Sequence, residues 1–151
     1  MEFKIKGFML DPARLTEPID TCKHYMDLAA EYGYNTLLWH FTDNHGCALV
    51  FPSRPELASP HAFTPEETRE LVGYAEDRGI DVIPELECFG HTDYILDLEQ
   101  YSHLRDNPPG SATRGICPFH EETHEILRDL LKDTNDILSS AYIHAGLDEV
   151  P

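Results

Sequence analysis

The chain has 151 residues, 41% of them hydrophobic, enough for one folded unit with a real core and too apolar for wholesale disorder. Its 28 acidic residues outnumber 11 basic ones, and the formal net charge of −17 repels phosphate backbones and anionic membrane surfaces. Composition therefore argues against nucleic acid or membrane partners and leaves room for a neutral or cationic ligand, such as a sugar or an amino sugar.

The N-terminal residues, Met1-Glu2-Phe3-Lys4-Ile5, form no apolar leader, and no run reaches membrane-spanning length, so a soluble, cytoplasmic protein is expected. Cys22, Cys47, Cys88 and Cys117 make no CxxC pair and no dense framework, which reads as free thiols in a reducing compartment. Short β-like runs then alternate with segments of helical period, the order of consecutive βα units around a parallel sheet. The first strand is expected at Ile5 to Leu10. Thr16 and Pro18 open a helix with Ile19, Cys22, Met26 and Ala29 on one face and Gly33 as its stop.

The run from Thr36 to Phe41 reads as a second, buried strand. A long loop containing Pro52, Pro55 and Pro60 follows, of a length that tends to be functional. Thr64-Pro65-Glu66-Glu67 combines an N-cap, a proline at the first helical position and the glutamate of a capping box, opening a helix through Leu71, Val72 and Ala75 to Gly79. A third strand begins at Asp81. Ile126, Leu127, Leu130, Leu131 and Leu138 mark a later helix, and Tyr142 to Gly146 a fourth strand. A full eightfold barrel needs roughly 200 residues or more, so the fold class expected is α/β, the N-terminal half of a (β/α)8 TIM barrel. Such a truncated barrel would leave strand edges open to a missing C-terminal half or to an oligomeric partner.

Polar residues recur at the expected C-terminal strand ends: Asp11 and Arg14, then His40 and Asp43, then Glu85, Glu87 and His91, then Asp148 and Glu149. One such residue would be an ordinary solvated strand end or helix cap. Four consecutive strands with the same habit point to an active site on the face where parallel barrels hold theirs. Trp39, alone in an apolar strand, reads as core and not as a sugar platform.

The segments Lys6–Arg14, His40–Asn44, Ile83–Thr92 and His144–Val150 resemble, in order, signature blocks of glycoside hydrolase family 20, the last through the family's His-x-Gly-Gly-Asp-Glu strand end. The resemblance covers essentially the whole chain, residues 1–151, as part of a catalytic domain. It implies β-N-acetylhexosaminidase activity in which the substrate's own acetamido oxygen attacks the anomeric carbon, with an N-acetylhexosaminide as the carbohydrate partner and no cofactor or metal. Carried over, Asp148 orients the acetamido group and stabilises the cationic oxazolinium, and Glu149 is the general acid and base. The adjacency of the two suits a pair in which one stays anionic and the other holds a proton. Asp43 and His91 match the pair that supports the general acid. His40 and Glu87 match further strand-end positions; His40 reads equally well as a hydrogen-bonded core histidine, and His144 as structural. Asp11 and Arg14 read either as a mutual pair fixing the first loop or as sugar contacts.

Three positions depart from the family pattern. Lys6 stands where an arginine usually grips sugar hydroxyls, and a lysine lacks that planar fork. Leu147 replaces the second glycine before the acidic pair, and Glu87-Cys88-Phe89 replaces Asp-Thr-Pro. Altered substrate preference is expected, and little activity from these 151 residues alone. One alternative is a metal-dependent barrel hydrolase or isomerase with ligands among His40, Asp43, His45, Glu85, Glu87 and His91. It leaves the Asp148-Glu149 tandem unexplained, and no compact HExxH motif is present. Another alternative is a noncatalytic carbohydrate-binding unit.

Overall fold

The computed structural model describes residues 3–106, 115–147 and 149. Its elements in chain order are β1 (Gly7–Leu10), α1 (Ile19–Glu31), β2 (Thr36–His40), β3 (Thr42–Asp43), β4 (Gly46–Cys47), α2 (Pro65–Glu76), β5 (Asp81–Glu85), α3 (Asp93–Leu96) and α4 (Glu121–Ile137), with 3-10 turns at Pro55–Leu57 and Glu99–Leu104. β1, β2 and β5 pair in parallel in that order, Gly7 opposite Thr36 and His40 opposite Glu85. The expected α/β class with a parallel sheet is thus present. His144 extends the sheet by a single parallel bridge to Glu85, its N–H donating to the Pro84 carbonyl at 2.9 Å and its carbonyl accepting from Leu86 N–H at 2.9 Å. The expected fourth strand is therefore brief.

Position in the sheet explains each strand's sequence. Central β2 has Leu37, Trp39 and His40 buried along both faces, whereas β1 alternates exposed and half-buried residues as an edge strand does. Among the described residues no strand pairs with the outer edge of β1. Exposed Met9 and a groove lined by Phe8, Tyr25, Leu28, Tyr32 and Tyr34 lie there. At the opposite edge Tyr142 and Ile143 are exposed. Trp39 is fully buried, its ring 4.8 Å from Phe41 and 5.8 Å from Phe63, as a core residue.

The helices cover one side through regular apolar spacing. Cys22, Met26 and Ala29 form the buried face of α1, which Gly33 ends at φ 75°. Pro18 itself is the N-cap; Thr16 instead donates its hydroxyl to the Pro12 carbonyl. On α2 the capping box is complete, with Thr64 Oγ1 accepting from Glu67 N–H and Glu67 accepting from Thr64 N–H. On α4, Ile126, Leu130 and Ile137 are buried, while Leu131, about 140° around the helix from Ile126 at 100° per residue, faces out.

The expected loop after β2 is largely structured. β3 and β4 form a tight hairpin about Asn44-His45, and the following segment buries Leu49, Phe51, Leu57 and Phe63. Ser53 binds Asp133 through both its N–H and its hydroxyl, and Arg54 donates to Asp129, so this segment packs under α4. No helix among the described residues is long and apolar enough to cross a membrane.

Candidate active site

The parallel register brings the C-terminal ends of β1, β2 and β5 to one face, and the β3–β4 hairpin folds over it. Asp43, at the turn of that hairpin, is the hub. Its side chain is 1% exposed, and four basic groups from four segments converge on it. Arg14 donates from Nη2 to Oδ2 at 2.7 Å; His91 Nδ1 lies 3.2 Å and His40 Nε2 3.4 Å from the same oxygen. His45 takes Oδ1, with its ring Nδ1 at 2.7 Å and its backbone N–H at 3.2 Å. Burial alone would raise the Asp43 pKa; the bonds from His45, the Arg14 charge and the contact with His40 outweigh it and hold the carboxyl below its usual range.

From Asp43 a chain of contacts leads outward. The far nitrogen of His91, Nε2, is 3.1 Å from Glu149 Oε2, and the Glu149 side chain is 77% exposed. Asn44 steadies the loop that carries His91, accepting the Asp93 N–H while its amide lies 3.3 Å from His91 Nδ1. His91, Leu147 and Glu149 have φ of 49°, 79° and 48°. For side chains other than glycine each such position costs about 1–2 kcal/mol, and such strain clusters at functional sites.

Behind this relay lies a second network. Glu85 receives His40 Nδ1 at 2.8 Å on one oxygen and His144 Nδ1 at 2.8 Å on the other, tying β2, β5 and the fourth strand segment together. His144 is thus structural, as expected, and His40 joins both networks as a buried, hydrogen-bonded histidine. Glu87 is set by its N–H on Thr42 Oγ1 (2.7 Å) and by Tyr94 donating to its carbonyl (2.8 Å). Its buried carboxylate accepts Leu147 N–H at 3.3 Å and packs so closely on Gly146 that a Cβ there would run into it. His40, Glu85 and Glu87 could offer a cation three atoms within 4.8 Å of one another. To ligate one, His40 would have to give up a carboxylate on one of its two ring nitrogens. Burial and the neighbouring Glu87 push the Cys88 thiol up to about 11, so it is no ready nucleophile.

Of the residues expected from sequence, Arg14, His40, Asp43, Glu87, His91 and Glu149 come together. Asp11 pairs with Arg14 as one reading held, and the pair is also joined to Asp43. Asp148 lies outside the described residues. Lys6 is not brought to the cluster: it precedes β1, with its N–H on Asn35 Oδ1 before β2, at the opposite end of the strand from the site. The four residues of β1 span about 13 Å at 3.3 Å each, more than a lysine side chain bridges. Arg14, by contrast, lies inside the cluster with its side chain 44% exposed. Sequence reasoning named His45 only as a possible metal ligand and missed it as a partner of Asp43. The one available signal was its spacing, two residues after an aspartate in a tight turn.

The chain matches, over residues 3–151, the family described as glycosyl hydrolase family 20, catalytic domain. It is 32% identical to a beta-hexosaminidase of Akkermansia muciniphila, over 97% of this chain and 34% of that protein. Among solved structures, Flavobacterium johnsoniae chitobiase superposes with a TM-score of 0.87 at 32% identity, covering 97% of this chain and 24% of that one. A mutant Streptomyces plicatus beta-hexosaminidase in complex with its product GlcNAc gives 0.86 at 27% identity, over 97% and 33% of the two chains. This chain spans about a third of the length of the curated relatives it matches.

Proposed function

Because the chain belongs to glycosyl hydrolase family 20, we propose that it carries the first half of the active site of a retaining β-N-acetylhexosaminidase. The observation that carries this reading is the relay from buried Asp43 through His91 to exposed Glu149, at 3.2 and 3.1 Å. In the first step the substrate's acetamido oxygen bonds to the anomeric carbon while the bond to the leaving oxygen breaks, and Glu149 gives that oxygen its proton. In the second, water attacks the same carbon, Glu149 takes its proton, and the oxazolinium C–O bond breaks. Asp148 is assigned to the acetamido nitrogen and the positive charge that develops. His91, backed by Asp43, sets how firmly Glu149 holds its proton.

Arg14 supplies the sugar-facing cation in place of Lys6. A planar guanidinium with donors left over from Asp11 and Asp43 suits vicinal hydroxyls. Asp11, His40 and Glu87 form the wall behind it. GlcNAc as the product bound by the Streptomyces plicatus relative fits an N-acetylhexosaminide as substrate. The metal reading accounts for neither the relay nor the family.

The three parallel strands with a fourth bridged on support the reading of residues 1–151 as the opening four βα units of a (β/α)8 barrel. The apolar edges at β1 and at Tyr142–Ile143 suit cover by further units of the barrel or by a second copy. The cytoplasmic location stays part of this proposal. The test is release of 4-nitrophenol from the N-acetylglucosaminide and from the plain glucoside by the protein carrying this chain, beside its Glu149→Gln variant. Cleavage of the N-acetylated substrate alone, reduced about 1000-fold in the variant, is expected. Equal cleavage of both, or an unaffected variant, overturns the assignment.

A further inference from the structure

Asp43 has two oxygens, and the structure divides them. Oδ2 is shared by Arg14, His91 and His40. On Oδ1 both contacts come from one residue, the backbone N–H and the ring Nδ1 of His45. The four basic groups also differ in access to water. His40 is buried between Asp43 and Glu85, and His91 is 15% exposed, whereas the His45 side chain is 67% exposed at the hairpin tip. A neutral imidazole with its proton on Nδ1 keeps the bond to Asp43 and leaves Nε2 to solvent, so His45 can gain or lose a charge with its bond intact.

We infer that His45 is a positioning residue for the relay: it holds Asp43 by Oδ1, leaves Oδ2 to His91, His40 and Arg14, and adds a solvent-controlled positive charge one carboxylate away from His91. The inference rests on the relay proposed above. The charged groups acting on this unit are Arg14 from the loop after β1, His40 at the end of β2 with Glu85 behind it on β5, and Glu87, His91 and Glu149 around the mouth. Arg14 keeps its charge throughout, so it sets a constant background. When protonated, His45 competes with His91 for the negative charge of Asp43 and makes a proton on His91 less favourable. Glu149 then faces a neutral imidazole, the state in which it can hold the proton it must donate.

The test is a pH titration of the histidine rings of the 151-residue chain by long-range proton–nitrogen NMR. His45→Gln keeps an amide donor within reach of Oδ1 and removes the charge; it should raise the His91 midpoint by about half a unit, the size of one nearby, solvent-screened charge. By reciprocity His91→Gln should raise the His45 midpoint by the same amount, which supplies a second variant in which a different ring is read. Midpoints that stay within about 0.1 unit of wild type, or fall, in both variants overturn the inference. Glu149→Gln separates it from the relay: loss of the anion should lower the His91 midpoint. If Glu149→Gln has no effect while His45→Gln does, the relay reading fails and the role of His45 on Asp43 stands.

Discussion

Asp43 and Glu149 sit at the two ends of one hydrogen-bonded chain and are held in opposite ways. Asp43 is buried and over-determined, with Arg14, His40, His45 and His91 arriving from separate segments. Glu149 stands in solvent on a turn where Gly146, Leu147 and Glu149 all have positive φ, and its carboxylate meets His91. The buried end is therefore fixed by several residues at once, while the turn bearing Glu149 is strained and open. Under the proposed function, a proton donor has to meet substrate while the residue behind it stays still, and burial and exposure divide along that line.

The largest effect that would break this contrast is on stability. Asp43→Asn deprives Arg14 and three imidazoles of their shared, buried carboxylate and should cost roughly 3 kcal/mol in urea unfolding. Glu149→Gln should stay within about 0.5 kcal/mol of wild type, since its side chain is in solvent. Equal losses would mean that the two ends are not held differently. The same pair of proteins carries a pH signature. The Asp43 carboxyl lies lower in the fold than in the unfolded chain, about 3.9 there, so its stabilisation is complete above that value and drains away as pH falls through its folded range. Wild type should lose stability more steeply than Asp43→Asn below about pH 4.

Next in size is Gly146→Ala. The new Cβ meets the Glu87 carboxylate at a φ of 65°, and a loss of about 2 kcal/mol is expected from the same unfolding curves. The smallest effect has the opposite sign. Leu147→Gly removes an exposed apolar side chain from a φ of 79° and should stabilise by about 1 kcal/mol, seen as a rise of about 3 °C in melting temperature. A fall instead would show that Leu147 packs in a way that outweighs its backbone strain.

Much of this was legible in the residues themselves. The α2 start was readable because Thr64, Pro65 and Glu67 act within one turn, and the strands because apolar runs of β2 and β5 are bounded by Asn35 and Gly79. The β3–β4 hairpin was not, since its turn residues Asn44 and His45 lack the asparagine–glycine signature and each strand has two residues. Asp43, His91 and Glu149 could be named from motif spacing, yet nothing in the string reveals that Arg14 turns toward Asp43 or that His45 doubles back on it. The string is equally silent on where Lys6 stands: a one-dimensional match does not say at which end of a strand a residue lies, and Lys6 and Arg14 lie on either side of β1.

The segment between β4 and α2 joins residues far apart in the chain. Ser53 and Asp133 are 80 positions apart, and Arg54 and Asp129 are 75 apart. Contacts of such span form only after long loops have closed, and closure entropy makes them late arrivals in folding. The βα units up to β5 can assemble from nearer neighbours first, with α4 docking as the final clasp. Such late contacts act as a brake on unfolding and leave the folding rate almost untouched. Ser53→Ala should accordingly raise only the unfolding limb of a kinetic chevron, with its slope unchanged, and a matching slowdown in folding would place the clasp at the beginning instead.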